Sequence, residues 1–229
     1  MATASSTLRK ARHLTLSYVL LVLVLALSIT PFLWLLSTAL KGPGDNIFAF
    51  PPELIPGEPT LANFVKVFQT IPLLVYFKNS LLVVAATVTF NVVLALMAAY
   101  PLARMRFRGK QFFFFATLST LMIPVQLTMI PNFVFIVNIG LKNNLWGVIL
   151  PNAVTAFGIF LIRQALITVP SSIEEAAVMD GCSSFRILFQ ILAPTVKPAI
   201  AALAIFIFVN MWGDFLWPLL VLDSESLLT

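Results

Sequence analysis

The stretch PSSIEEAAVMDGCSSFRILFQILAPTVKP, Pro170–Pro198, lies between two long apolar runs yet gathers Glu174, Glu175, Asp180, Arg186 and Lys197. Carboxylates are rare at bilayer depth, so a segment this charged belongs outside the hydrocarbon. Its punctuation predicts two short helices meeting at a corner. Ser171 and Ser172, followed three residues on by Glu174 and Glu175, carry the Ser-x-x-Glu signature of a helix start. Asp180-Gly181 is the stop, because glycine takes the left-handed position just past a helix end. Ser183 or Ser184 can then cap a second helix through Phe185, Leu188, Phe189 and Leu192, which Pro194 is expected to end. The expectation is a compact elbow with one apolar side, set on a membrane surface.

The rest of the chain supports that placement. Of 229 residues, 60% are hydrophobic and 10% charged, against roughly half and a quarter in a soluble domain. This composition predicts an all-α, polytopic integral membrane helical bundle. Residues 1–13 form a polar tail with Arg9, Lys10 and Arg12, and an uncharged run from Leu14 to Leu40 follows. That run exceeds the roughly 20 residues needed to cross a bilayer and is too long for a signal-peptide core, so 14–40 reads as a retained first transmembrane helix. Segment 41–77 reads as an outer loop. Prolines at 51, 52, 56, 59 and 72 argue for irregular backbone, while Leu61, Phe64, Val65 and Phe68 fall at the spacing of a short surface helix.

Residues 78–229 hold four further apolar runs, from Asn79 to Ala103, Gln111 to Leu141, Leu145 to Ile162, and after Lys197 to Leu222. Pro124, Pro131 and Pro151 fall inside them. Interior prolines kink a spanning helix, and the freed carbonyls must find partners or line a wet cavity. Lysine and arginine give the orientation, since 10 of 14 fall on the side of the N-terminal tail, the 104–110 cluster and the 170–198 elbow. An excess of positive charge marks the cytoplasmic face, so the N-terminus and the elbow are both expected there.

Several function classes find no material here. The net charge of +5 is accounted for by orientation, and no basic stripe interleaves with aromatics as nucleic-acid binding needs. Cys182 is the single cysteine and His13 the single histidine, so neither an intrachain disulfide nor a zinc or iron cluster is expected. Gly109-Lys110 is no phosphate loop, because Gln111 follows and Arg104 stands where the first glycine belongs. The chain by itself is therefore not expected to hydrolyse ATP. A membrane-embedded enzyme would have to use Glu174, Glu175 and Asp180, whose capping positions supply a simpler account. An ion-coupled secondary transporter is a further alternative, with Asp214 as its one intramembrane carboxylate.

A polar set inside the apolar runs is the candidate translocation pathway: Gln126, Asn152, Asn210, Trp212, Asp214 and Trp217. Such groups are costly against lipid and should face the bundle interior. Trp212 and Trp217 can stack on a sugar ring while Asn210 and Asp214 exchange hydrogen bonds with hydroxyls, a mode suited to an uncharged polyol. The alternative is that they hydrogen-bond helix to helix and, for tryptophan, mark the interface.

The elbow also carries a resemblance. Glu175-Ala176-Ala177, three residues, Gly181, nine residues, Ile191, one residue, then Ala193-Pro194 resembles the EAA loop of permease subunits of bacterial binding-protein-dependent ABC importers. Ala193 stands where that family usually has leucine. Asn79-Ser80-Leu81, Ala98 to Arg104, Phe160 to Gln164 and Phe215 to Leu219 are similar to its carbohydrate-uptake branch, the maltose-permease type, although Gly213 replaces an asparagine usual there. The resemblance implies a type I ABC importer fold in the bacterial inner membrane. It further implies ATPase coupling through Glu174, Glu175, Ala176, Ala177, Asp180, Gly181, Ile191 and Pro194. The implied partners are a second permease subunit, two ATPase subunits and an external solute-binding protein. ATP and magnesium would sit on the ATPases, with no cofactor on this chain, and the cargo would be a sugar or sugar-like compatible solute. The family usually closes with one more spanning helix and a cytoplasmic tail, so this sequence is expected to be incomplete at its end.

Overall fold

The computed structural model describes residues 2–47 and 53–229, with side chains from residue 14 onward. All regular structure among them is helical, and they divide after residue 73 into two compact units.

The first unit holds α1 (Ala2–Leu40) and α2 (Ala62–Thr70). Residues 14–40 of α1 are long and apolar enough to cross a membrane, and their most apolar window has no buried residue. A helix can expose such a surface to lipid because its backbone bonds are all internal. The carbonyls left over at its end are collected from downstream. Asn63 Nδ2 donates to the carbonyls of Ala39 (3.1 Å) and Lys41 (2.9 Å), and the Thr60 amide donates to Leu40 (2.9 Å). Asp45 accepts the amides of Gly42 and Gly57, which pins the irregular connection. Pro51 and Pro52 lie outside the described residues.

The second unit begins with α3 (Leu73–Arg104), also long enough to span. It starts upstream of the apolar run read from the sequence and takes Lys78 into its first turns. Three broken passes follow. The pair α4 (Lys110–Ser119) and α5 (Val125–Asn138) is bent by 102° around a 3-10 turn at 120–122. Next come α6 (Leu145–Ile149), a 3-10 turn at 150–152 and α7 (Ala156–Thr168), bent by 44°. The charged corner then comprises α8 (Ser171–Met179), α9 (Ser184–Arg186), a π-helical segment Ile187–Leu192 and α10 (Ala193–Thr195). An 84° bend leads into α11 (Lys197–Trp212), and α12 (Leu216–Val221) completes the unit. By length and composition, counting each bent pair as one pass gives up to five spans.

The first two breaks have a local cause. Pro124 has no amide proton and holds the residue before it out of the helical region, so Ile123 is extended and the expected kink becomes a right-angled turn. In the next pass Pro151 lies in the 3-10 turn, and Thr155 restarts the helix by accepting the Gly158 amide (3.1 Å).

Two buried clusters hold the unit together. One joins Ala95, Leu96 and Ala99 of α3, Ile162 and Leu166 of α7, and Leu203 and Ile207 of α11 to Ala177, Ile187, Leu188 and Leu192 of the corner. The other joins Val83, Ile136, Val148, Trp217 and Val221. Helices in lipid gain no hydrophobic driving force from meeting one another, so van der Waals packing at close approach matters more. At Gly147 a Cβ would collide with the Leu141 carbonyl and stand 2.8 Å from Val221 Cγ1.

Two expectations for the corner are corrected. Pro170, not a serine, is the N-cap of α8, and no side chain caps it. The proline already fixes the turn into the helix, while Glu174, the would-be capping partner, is engaged with α3. Pro194 does not end the second helix. Its missing amide and its ring disrupt the bond to Gln190, and the helix answers by widening to π geometry over 187–192 before it turns at Val196.

Candidate functional site

A cavity of about 600 Å³ opens in the second unit where three helix breaks come together. Gln126 reaches it from the start of α5, Asn152 from the turn after α6, Asn210 from the end of α11, and Asp214 and Trp217 from the start of α12. Five of the six pathway candidates therefore border one space. Breaks expose polar backbone, which membrane proteins tolerate where it lines a cavity. Thr128, Asn132 and Thr155 also line it and were missed by the sequence reading. Their signal lies in α5, where Val125, Thr128, Met129 and Asn132 repeat at the spacing of one helix face.

Trp217 is only 7% exposed, and its Nε1 donates to the Gly147 carbonyl at 3.3 Å, so its ring is mainly wall. Asp214 Oδ1 accepts the Trp217 amide at 3.4 Å and holds the start of α12. Trp212 sits elsewhere. It borders a smaller cavity of about 250 Å³ with Ser80 and Asp214, stacked on Phe208 (5.6 Å) and met edge-on by Phe77 (5.7 Å). The structure thus separates the two indoles that the sequence reading paired. The lining of the larger cavity offers amides, hydroxyls and one carboxylate, with no lysine, arginine or histidine. Such walls suit a neutral hydroxylated solute; an anion would be desolvated beside Asp214 without a countercharge.

Behind the cavity wall lies Asn91, fully buried on α3. Its Nδ2 donates to the Asn152 carbonyl (3.1 Å), and its Oδ1 accepts the Thr155 hydroxyl (3.3 Å). Gly158 allows this approach, since a Cβ there would stand 2.8 Å from Asn91 Oδ1. Asn91 ties the unbroken span to the point where the fourth pass opens. One amide in the middle of an apolar run is the signal that marks it.

The charged corner turns on Gly181, at φ +75°. Its amide donates to Val178 and that of Cys182 to Ala177, the paired bonds of a Schellman ending. Ser183 Oγ accepts the Arg186 amide at 3.4 Å and starts the second helix as expected. Ala177 is buried against the bundle and Ile191 is partly buried, whereas Glu175, Ala176, Asp180, Gly181 and Pro194 are exposed. Met179 at 88% exposure and Phe185 at 64% give the outer face an apolar character. Glu174 turns inward. It accepts the Tyr100 hydroxyl at 2.7 Å and lies 3.5 Å from Arg104 Nε, while Arg104 also donates to the Val169 carbonyl. Arg163 donates to Leu102 (3.0 Å) and Lys110 to Ala103 and Met105 (3.1 and 3.0 Å). Several members of the basic set thus close the end of α3, beyond the orientation read from charge alone.

Apolar helical passes, a polar cavity at their breaks and a charged corner with an apolar outer face define a polytopic membrane protein built around a hydrophilic site. Residues 91–228 match the family described as binding-protein-dependent transport system inner membrane component, and the chain belongs to that family. It is 37% identical over 175 residues to the arabinooligosaccharides transport system permease protein AraQ of Halalkalibacterium halodurans, covering 76% of this chain and 63% of that protein. It is 33% identical over 219 residues to the diacetylchitobiose uptake system permease protein NgcG of Streptomyces coelicolor, covering 95% of this chain and 71% of the relative. The chain thus spans about two thirds of the length of these relatives. Its fold matches a chain in the crystal structure of a bacterial ABC transporter involved in the import of the acidic polysaccharide alginate. The TM-score is 0.82 at 25% identity, over 93% of this chain and 75% of the other.

Proposed function

We propose that this chain is the membrane-spanning permease subunit of an ATP-driven importer for a neutral sugar or sugar-like solute. In this reading the chain works with a second permease, two ATPase subunits and an external solute-binding protein, and the ATPases hold ATP and magnesium. The N-terminus and the corner 170–198 face the cytoplasm, as the distribution of basic residues favours. Gln126, Asn152, Asn210 and Asp214, with Thr128, Asn132 and Thr155, form this subunit's share of the pathway, and Trp217 is part of its wall, while Trp212 borders the smaller cavity beside it. Glu175, Ala176, Asp180 and Gly181, with the nearby Met179 and Phe185, meet the ATPase. Ile191 and Pro194 shape the second helix behind them.

The observation that carries the reading is the buried cluster running without interruption from Ala177, Ile187 and Leu188 of the corner into α3, α7 and α11. A close-packed core moves as a body, so a push on the corner becomes a displacement of the spanning helices. The relatives named for oligosaccharide transport support the cargo class, as do cavity walls without a cation.

Ala176 provides the test, because it is exposed on α8 and a large side chain there avoids the backbone strain that any substitution meets at Gly181, at φ +75°. Ala176→Trp in the full-length chain should abolish co-purification of the ATPase subunits and ATP-dependent uptake of arabinotriose into proteoliposomes. Ala176→Ser, which adds little bulk, should retain both. Uptake driven by an ion gradient without ATP, or ATPases that stay bound and active beside the introduced indole, would sink the proposal.

A further inference from the structure

The two adjacent carboxylates of the corner are not equivalent. Glu175 is exposed, whereas Glu174 is drawn against the bundle by two residues one helical turn apart on α3. The Tyr100 hydroxyl donates to its Oε1 at 2.7 Å, and Arg104 Nε stands 3.5 Å from its Oε2. Both side chains of the ion pair are largely shielded, at 11% and 19% exposure, so water screens the pair less than an open surface contact. Arg104 also donates to the carbonyl of Val169, the residue that links α7 to Pro170 and α8. One guanidinium thus sets its charge beside the carboxylate and hydrogen-bonds the hinge of the corner.

We infer that Tyr100 and Arg104 are positioning residues for energy coupling, holding Glu174 so that the corner keeps one fixed orientation on the spanning bundle. The apolar contacts of Ala177, Ile187 and Leu188 supply attraction, but burial is non-directional and tolerates rotation or sliding of α8. Charge-assisted hydrogen bonds have narrow geometry and choose one arrangement. Glu174 therefore faces inward to transmit force, and Glu175 faces outward to receive it. The inference rests on the coupling function proposed above, and the experiment separates the two.

Nitroxide labels at Leu127→Cys and Leu219→Cys, both exposed positions on α5 and α12, report cavity opening in the complete importer with Cys182→Ser. In the otherwise unaltered complex, ATP with vanadate should shift the distance between them; no shift there, with hydrolysis intact, refutes the coupling function itself. In Glu174→Ala the ATPases should remain bound and hydrolyse ATP, while the shifted population falls about tenfold, the scale of one charge-assisted hydrogen bond. Glu174→Gln, which keeps an acceptor for the Tyr100 hydroxyl, should recover part of the shift. Tyr100→Phe removes one oxygen and leaves the ring in the core, so it tests the same contact where Glu174→Ala does not assemble. Combined with Glu174→Ala it should add no further loss. An undiminished shift in Tyr100→Phe, additive losses, or loss of ATPase binding in Glu174→Ala with Tyr100→Phe unaffected would overturn the inference; the last outcome would make Glu174 a direct contact with the ATPase.

Discussion

Replacing Asn91 by alanine tests whether the buried amide holds the fourth pass open at the cavity. The substitution removes the donor to the Asn152 carbonyl and the acceptor for the Thr155 hydroxyl in one step. Hydrogen bonds between membrane helices average about 0.6 kcal/mol in double-mutant cycles, so the two bonds alone suggest about 1.2 kcal/mol. Leaving a buried group unsatisfied costs about 1–3 kcal/mol, which makes the orphaned Asn152 carbonyl the larger contribution. Thr155 loses less, because its oxygen still accepts the Gly158 amide. The expected loss is about 2 kcal/mol of stability, most of it at the break between α6 and α7. Reversible SDS unfolding of the purified permease in mixed micelles measures it, with hydrogen exchange at 150–158 locating the loosening. A change below about 0.3 kcal/mol, within the additivity error of independent sites, would show that the amide is incidental.

Gly147→Ala should destabilise the same unit by about 1–3 kcal/mol through overpacking, since the new methyl meets the Leu141 carbonyl and Val221. Thermal unfolding in detergent reads this out, and an unchanged midpoint would mean that α6 and α12 are not held as closely as described. Asp214→Asn keeps an oxygen for the Trp217 amide, so the fold should be preserved while the cavity loses its carboxylate. A hydrogen bond to a charged group exceeds a neutral one by about 1 kcal/mol, so in the proposed importer KM for an arabinotriose probe should rise about fivefold. An unchanged KM would remove Asp214 from solute contact.

Much of this fold is legible in the chain's own pattern of residues. Uncharged runs of sufficient length dictate helices that satisfy their own backbone, and Asp180-Gly181 followed by Ser183 writes the turn of the corner. Prolines at 124 and 151 announce two of the breaks, and the polar residues there border one cavity with Asn210 and Asp214 from the break at 213–215. What periodicity and composition cannot carry is the direction in which a side chain points once helices meet. Glu174 read as a capping residue because its nearest serines lie just upstream, yet its partner is Tyr100, 74 residues away in the chain. Trp212 and Trp217 looked like one stacking pair, but the break at 213–215 sends them to different cavities. Asn91 was one polar letter in an apolar run until the fourth pass opened against it. Local chemistry sets where helices start, stop and break; which polar groups face one another is settled by packing, because those pairings depend on how faces far apart in the chain are brought into register.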